Sequence, residues 1–165
     1  FVPVISERSM VRPAAALLKK YDRWHEIVRE AAEQCGRGLL PLIDDPLLWP
    51  AVAKQAGGVR LLAWEAVARE GNPIGLGDAI ASLHVSGQQE ISLAIGPEGG
   101  LTRGEVAMAV ASGWHVVSLG PRILRAETAA LAAVSIVLDR LGDMGNRDER
   151  FPLSRAEVQT SPCGT

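Results

Sequence analysis

Ile95-Gly96-Pro97-Glu98-Gly99-Gly100-Leu101-Thr102 and Leu119-Gly120-Pro121-Arg122-Ile123-Leu124-Arg125-Ala126-Glu127-Thr128 decide the fold of this chain. Each begins where an apolar, strand-like run stops, and each ends where a helix begins. Two Gly/Pro-rich turns at strand ends point to an α/β domain, in which ligands lie outside the carboxyl ends of the strands. Glycine lets the main chain approach such a ligand closely. Neither turn has the G-x-G-x-x-G or G-x-x-x-x-G-K-[ST] spacing, so the common dinucleotide and P-loop readings fail.

Outward from the first turn, Ile91 to Ile95 reads as a strand. Thr102-Arg103-Gly104-Glu105 is a capping box that opens a helix carrying Val106, Met108, Ala109 and Val110 and ending at Gly113. His115 to Leu119 leads into the second turn as another strand. Ala126 to Leu141 reads as a helix apolar on nearly every face, the pattern of an element buried in a core or a subunit interface. Toward the N-terminus, Val59 to Trp64 is a strand, and Leu47 to Gln55 is a helix stopped by Gly57-Gly58. Residues 69 to 78 form a loop, followed by a short helix from Ala79 to Leu83. One continuous apolar stripe from Leu17 through Tyr21, Trp24, Val28 and Ala32 to Cys35 predicts a single helix after Pro13. Val2 to Ile5 is a short buried strand. Strand and helix alternate, so the expected fold is α/β, a mainly parallel sheet with helices on both faces.

The 165 residues suffice for one domain with a core, and 47% hydrophobic with 22% charged content reads as globular. No run approaches the roughly 18 apolar residues of a membrane span. No basic region precedes the first apolar run, so a signal peptide is not expected. Cys35 and Cys163 stand in no metal or redox spacing, which predicts a reducing, cytoplasmic setting. A net charge of -2 excludes a broadly basic nucleic-acid binder, although 14 of the 17 cations are Arg, the residue suited to bidentate phosphate contact.

At its two turns the chain resembles the SPOUT methyltransferases, and within them the RsmE family, which makes N3-methyluridine in 16S ribosomal RNA of the small subunit. Ser6-Glu7-Arg8, Glu30-Ala31-Ala32-Glu33-Gln34-Cys35-Gly36-Arg37, Ile95 to Leu101 and Leu119 to Thr128 carry the likeness. The resemblance implies a deep trefoil knot in the C-terminal part, S-adenosylmethionine as cofactor in that knot, and a homodimer. It places the methyltransferase domain at residues 1–142, without the first strand and helix that precede Val2 in the family and without its N-terminal PUA-like barrel. Residues 143–165 are then a flexible tail.

The resemblance also assigns roles. Ile95, Gly96, Pro97, Gly99 and Gly100 surround the methionine and ribose of the cofactor; Leu119, Gly120, Ile123 and Leu124 hold the adenine; Thr128 hydrogen-bonds in the same loop or is simply a first-turn residue of its helix. Read without it, the first loop is equally a tight strand-to-helix turn and the second a buried loop. Glu98 faces the sulfonium or the RNA, or caps a helix N-terminus. Uridine N3 is a poor nucleophile until its proton leaves, and the charge then spreads onto O2 and O4. A guanidinium stabilises that charge, with Arg125 the first candidate and Arg8 behind it. Arg8 and Arg37 read as substrate contacts or as surface ion pairs, and Gln34 as an RNA or subunit contact or as solvated helix surface. No general base is evident. His25, His84 and His115 lack a second ligand at metal spacing, so no metal is expected. Trp24, Trp49, Trp64 and Trp114 read as core or interface residues, with Trp64 near the cofactor. Ribose 2′-O-methylation and a non-catalytic dimeric knot domain are the competing functions.

Overall fold

Strand β3 (Val59–Ala63) organises the molecule, because its side chains alternate between two separate cores. The computed structural model describes residues 1–11, 13–66, 74–85, 89–141 and 144, and among these five strands and six helices are present. Parallel strands β4 (Ile91–Ile95) and β5 (His115–Val117) flank β3 in the order β4-β3-β5. In register, Ala63 lies beside Ile95 on one side and Val117 on the other. The three carboxyl ends are therefore level. The two glycine turns, successive in sequence, leave this rim from opposite sides of β3.

Helices cover both faces, as the alternation predicts. Leu61 and Ala63 meet Leu76, Ala79 and Ile80 of α4 (Leu76–Ser82) and Ala133 of α6 (Ala126–Arg140). Leu62 and Ala94 meet Trp49 and Ala53 of α3 (Trp49–Gln55) and Val106 and Ala109 of α5 (Arg103–Ala111). Trp49 and Trp114 pack at 6.1 Å between ring centroids. Each indole is satisfied: Trp49 Nε1 donates to the Glu105 carbonyl at 3.0 Å and Trp114 Nε1 to that of Ala53 at 2.9 Å. A buried indole N–H needs such a partner.

A second parallel pair, β1 (Val4–Ile5) with β2 (Leu47–Leu48), stands apart from the larger sheet. Between β1 and β4 runs a groove of about 900 Å³, lined by Val2, Val4, Trp114 and all five residues of β4. Consecutive strand residues lining one groove mean that the edge of β4 faces it, since side chains alone would alternate.

Several sequence expectations are corrected. The stripe from Pro13 to Cys35 is two helices, α1 (Ala14–Leu18) and α2 (Tyr21–Cys35). The Lys20 N–H bonds back only three residues, to Leu17, and this tighter turn interrupts the helix without disturbing its apolar spacing. Leu47 and Leu48 are strand rather than helix, because the Leu47 N–H pairs with the Pro3 carbonyl at 3.0 Å. Helix α4 starts at Leu76, three residues early, anchored by Leu76 N–H to the Ser118 carbonyl at 3.0 Å. Strand β5 stops at Val117, although Ser118 still bridges to Gly75. Helix α6 is not buried all round: Ala129 and Ala133 face the core, while Leu131 is 73% exposed. Of the expected tail, only Met144 is among the described residues. No described helix is long and apolar enough to cross a membrane.

Candidate cofactor cleft

A cavity of about 550 Å³ opens at the levelled strand ends. Its floor is the end of β3, Ala63 and Trp64, continuing to Glu65. One wall is the turn Ile95 to Gly100; the other runs from Ser118 through Leu119, Gly120, Ile123 and Leu124 into the first turn of α6. That size fits a drug-sized ligand, for which about 300–1,000 Å³ is usual.

The first wall owes its shape to its glycines. The Gly100 N–H closes the turn onto the Pro97 carbonyl at 2.8 Å, and Gly100 adopts φ +67°, which side chains rarely allow. A Cβ on Gly100 would lie 2.2 Å from Glu65 Oε1, so the carboxylate occupies the space a side chain would need. After the turn, the expected capping box is formed. Glu105 Oε2 accepts from the Thr102 N–H at 2.9 Å, and Thr102 Oγ1 accepts from the Glu105 N–H at 3.3 Å. The other oxygen, Glu105 Oε1, accepts from the Glu7 N–H at 2.7 Å. The loop Ser6-Glu7-Arg8 is thereby fixed against the glycine turn, and Arg8 Nη1 donates to the Gly99 carbonyl at 3.1 Å.

In the second wall, Gly120 turns at φ +117°, and its N–H donates to Ser118 Oγ at 3.1 Å. Leu119 and Leu124 present half-buried apolar surface, and Ile123 lies largely exposed beside them. Arg125 is the N-cap residue of α6, and its backbone carbonyl accepts the Ala129 N–H at 2.8 Å. Arg122, Arg125 and Glu127 also line this wall, while Glu65 on the floor and Glu98 on the first wall complete the charged lining. An apolar slot with charged groups of both signs suits a zwitterionic ligand with a flat ring. Among the described residues, no group of three or more His, Cys, Asp or Glu could hold a metal ion.

Ile95, Gly96, Pro97, Glu98, Gly99, Gly100, Leu119, Gly120, Ile123, Leu124 and Arg125, all singled out in the sequence, line this cavity together. Arg8 reaches it from outside, through Gly99. Thr128 is exposed and does not line it, whereas its neighbours Glu127 and Ala129 do. Gln34 and Arg37 are exposed at the end of α2 and line neither the cavity nor the groove. Sequence reasoning missed Glu65, Ser118 and Arg122. For Glu65 the one available signal was its place just past a strand; only the strand order puts that strand between the two turns.

Residues 1–138 match the family model for the RNA methyltransferase domain. Ribosomal RNA small subunit methyltransferase E of Synechocystis is 40% identical over 142 residues, 84% of this chain and 45% of the relative. Its counterpart from Bacillus subtilis is 34% identical over 140 residues, 83% of this chain and 54% of the relative. The crystal structure of the Neisseria gonorrhoeae methyltransferase E bound to S-adenosylmethionine superimposes with a TM-score of 0.67 at 34% identity, covering 83% of this chain and 53% of that one. A Legionella pneumophila methyltransferase with bound S-adenosylmethionine gives a TM-score of 0.68 at 31% identity, covering 84% and 54%. The chain spans about half the length of the relatives it matches. The resemblance to the RsmE family is borne out, and by the match of its residues 1–138 the chain belongs to the RNA methyltransferase domain family.

Proposed function

We propose that this chain is the catalytic part of an S-adenosylmethionine-dependent methyltransferase that modifies N3 of a uridine in 16S rRNA of the small ribosomal subunit, in the cytoplasm. One observation carries the reading: the level ends of β3, β4 and β5 set both glycine turns around one cavity, with Arg125 on its wall. S-adenosylmethionine, when bound, supplies an electrophilic methyl group. Leu119 and Leu124 offer apolar faces to its adenine. The Ile95 to Gly100 turn offers main chain to its methionine and ribose. Arg125 stabilises the negative charge that develops on the uracil oxygens as the N3 proton leaves.

A deep trefoil knot and a homodimer belong to the same proposal. The exposed apolar side chains Leu131 and Val134 of α6 support the dimer, because apolar patches on one helix face mark contact surfaces.

The test is calorimetric titration of this chain with S-adenosylmethionine, followed by nucleoside analysis of 16S rRNA treated with the full-length protein. One site per chain and a methyl group on the uracil base are expected. Binding without base methylation, or a 2′-O-methyl product that blocks alkaline cleavage, would overturn the N3 assignment.

A further inference from the structure

Glu65 lines the cavity without a role in the proposed methyl transfer. It follows the central strand and makes no hydrogen bond or ion pair with a described residue. Its carboxylate nevertheless has a definite place. Glu65 Oε1 lies 2.2 Å from where a Cβ on Gly100 would stand, so it sits over the closed end of the first turn. The positive φ of Gly100 and the lack of a side chain there leave room for this group.

We propose that Glu65 accepts hydrogen bonds from the α-ammonium group of the cofactor's methionine end. This rests on the reading of the cavity as an S-adenosylmethionine site. The argument is one of position and chemistry. The apolar side chains Leu119, Ile123 and Leu124 lie on the second wall, where a flat ring fits, so the polar end of the ligand falls toward the first wall. Among the described residues three carboxylates line the cavity: Glu65, Glu98 and Glu127. All three are exposed; Glu127 belongs to the second wall and Glu98 to the first turn itself. Of these three, Glu65 stands where the floor meets that turn, beside Gly100. A carboxylate is an acceptor of several hydrogen bonds, and an ammonium donates three, whereas a sulfonium donates none. Glu65 therefore matches the ammonium better than the sulfonium and gives the site its preference for ligands that carry an intact amino acid.

Three ligands separate the roles. S-adenosylmethionine carries both cations, S-adenosylhomocysteine keeps the ammonium without the sulfonium, and methylthioadenosine has neither. In calorimetric titrations of the 165-residue chain, Glu65→Gln is expected to weaken the first two by about tenfold each, the scale of a hydrogen bond to a charged group. Binding of methylthioadenosine is expected to stay within about twofold, since it makes no such bond. Glu65→Asp, which keeps the charge but shortens the reach, should show the same selectivity with a smaller loss. A loss confined to S-adenosylmethionine would assign Glu65 to the sulfonium and overturn the proposal. An equal loss for all three ligands, or no loss, would also overturn it while leaving the cofactor site standing. If the unmodified chain binds none of the three, the cofactor reading itself fails.

Discussion

Arg8 Nη1 donates to the Gly99 carbonyl at 3.1 Å, joining the loop after β1 to the turn after β4 across 91 positions of sequence. The contact extends beyond one hydrogen bond, because a Cβ on Gly99 would lie 3.0 Å from the Arg8 Cβ. Arg8 thus braces the turn expected to hold the cofactor, while Arg125 faces the cavity directly. The two arginines should separate kinetically. Arg8→Ala is expected to raise the S-adenosylmethionine Kd by about three- to tenfold, the worth of one hydrogen bond and its packing. An unchanged Kd would remove the bracing role.

Arg125→Ala should do the reverse. Its guanidinium is assigned to charge that develops only during transfer, so methylation is lost while cofactor affinity stays within a few-fold. Single-turnover methylation of 16S rRNA by the full-length protein reads the first effect, and titration reads the second. Full activity in the variant would end the role given to Arg125.

Gly100, in the turn after β4, and Gly104, in the first turn of α5, should respond to alanine with opposite signs. Gly100→Ala must accept φ +67° and displace the Glu65 carboxylate, and is expected to cost about 1–2 kcal/mol for the backbone conformation alone. Gly104 is exposed in the first turn of α5, and the nearest atom to an added Cβ is Thr102 Oγ1 at 3.9 Å. Gly104→Ala should therefore stabilise by roughly 0.5–1 kcal/mol. Urea unfolding midpoints decide both.

Glu105 is 9% exposed and serves two elements at once, the cap of α5 and the Glu7 N–H. Glu105→Ala strands two donors and is expected to lower stability by about 1–3 kcal/mol. Amide hydrogen exchange should also rise at both Glu7 and Thr102. Faster exchange at Thr102 alone would show that the β1 loop is held by something else.

The dimer proposal makes a prediction of a different kind. Leu131 is 73% exposed, so Leu131→Glu should leave the unfolding midpoint of the isolated fold nearly unchanged. Light scattering should then report a monomer where the unmodified protein is a dimer. A dimer that survives the charge would move the interface elsewhere.

Much of this is legible in the sequence, and the reasons differ by element. Strand β4 and the capping box of α5 were read at their observed boundaries, because Gly96 and the Thr102/Glu105 pair are signals with one physical meaning each. The break at Lys19 and Lys20 was invisible, since hydrophobic spacing reports side chains and not the hydrogen-bond step. Leu47 and Leu48 were misread because pairing with β1 is a tertiary event that outweighs a short apolar run. Eleven of the residues singled out at the two turns line one cavity, since strand ends locate a site in this fold class. Glu65 escaped because a single carboxylate after a strand acquires meaning only from strand order. Gln34 and Arg37 stand at a helix end that could face the cleft, but Gln34 on the last turn of α2 and Arg37 just past it do not line the cavity.

The level rim formed by Ala63, Ile95 and Val117 has a consequence for how the molecule matures. Parallel partners must wait for a crossover to be completed, so β3 can acquire β4 well before β5 is available. The second wall arrives last, and a chain lacking a docked β5 has half a pocket. A tight ligand therefore selects finished molecules over nascent ones. At a hundred times its Kd such a ligand would add about 2.7 kcal/mol to the closed sheet, locking the final strand in place.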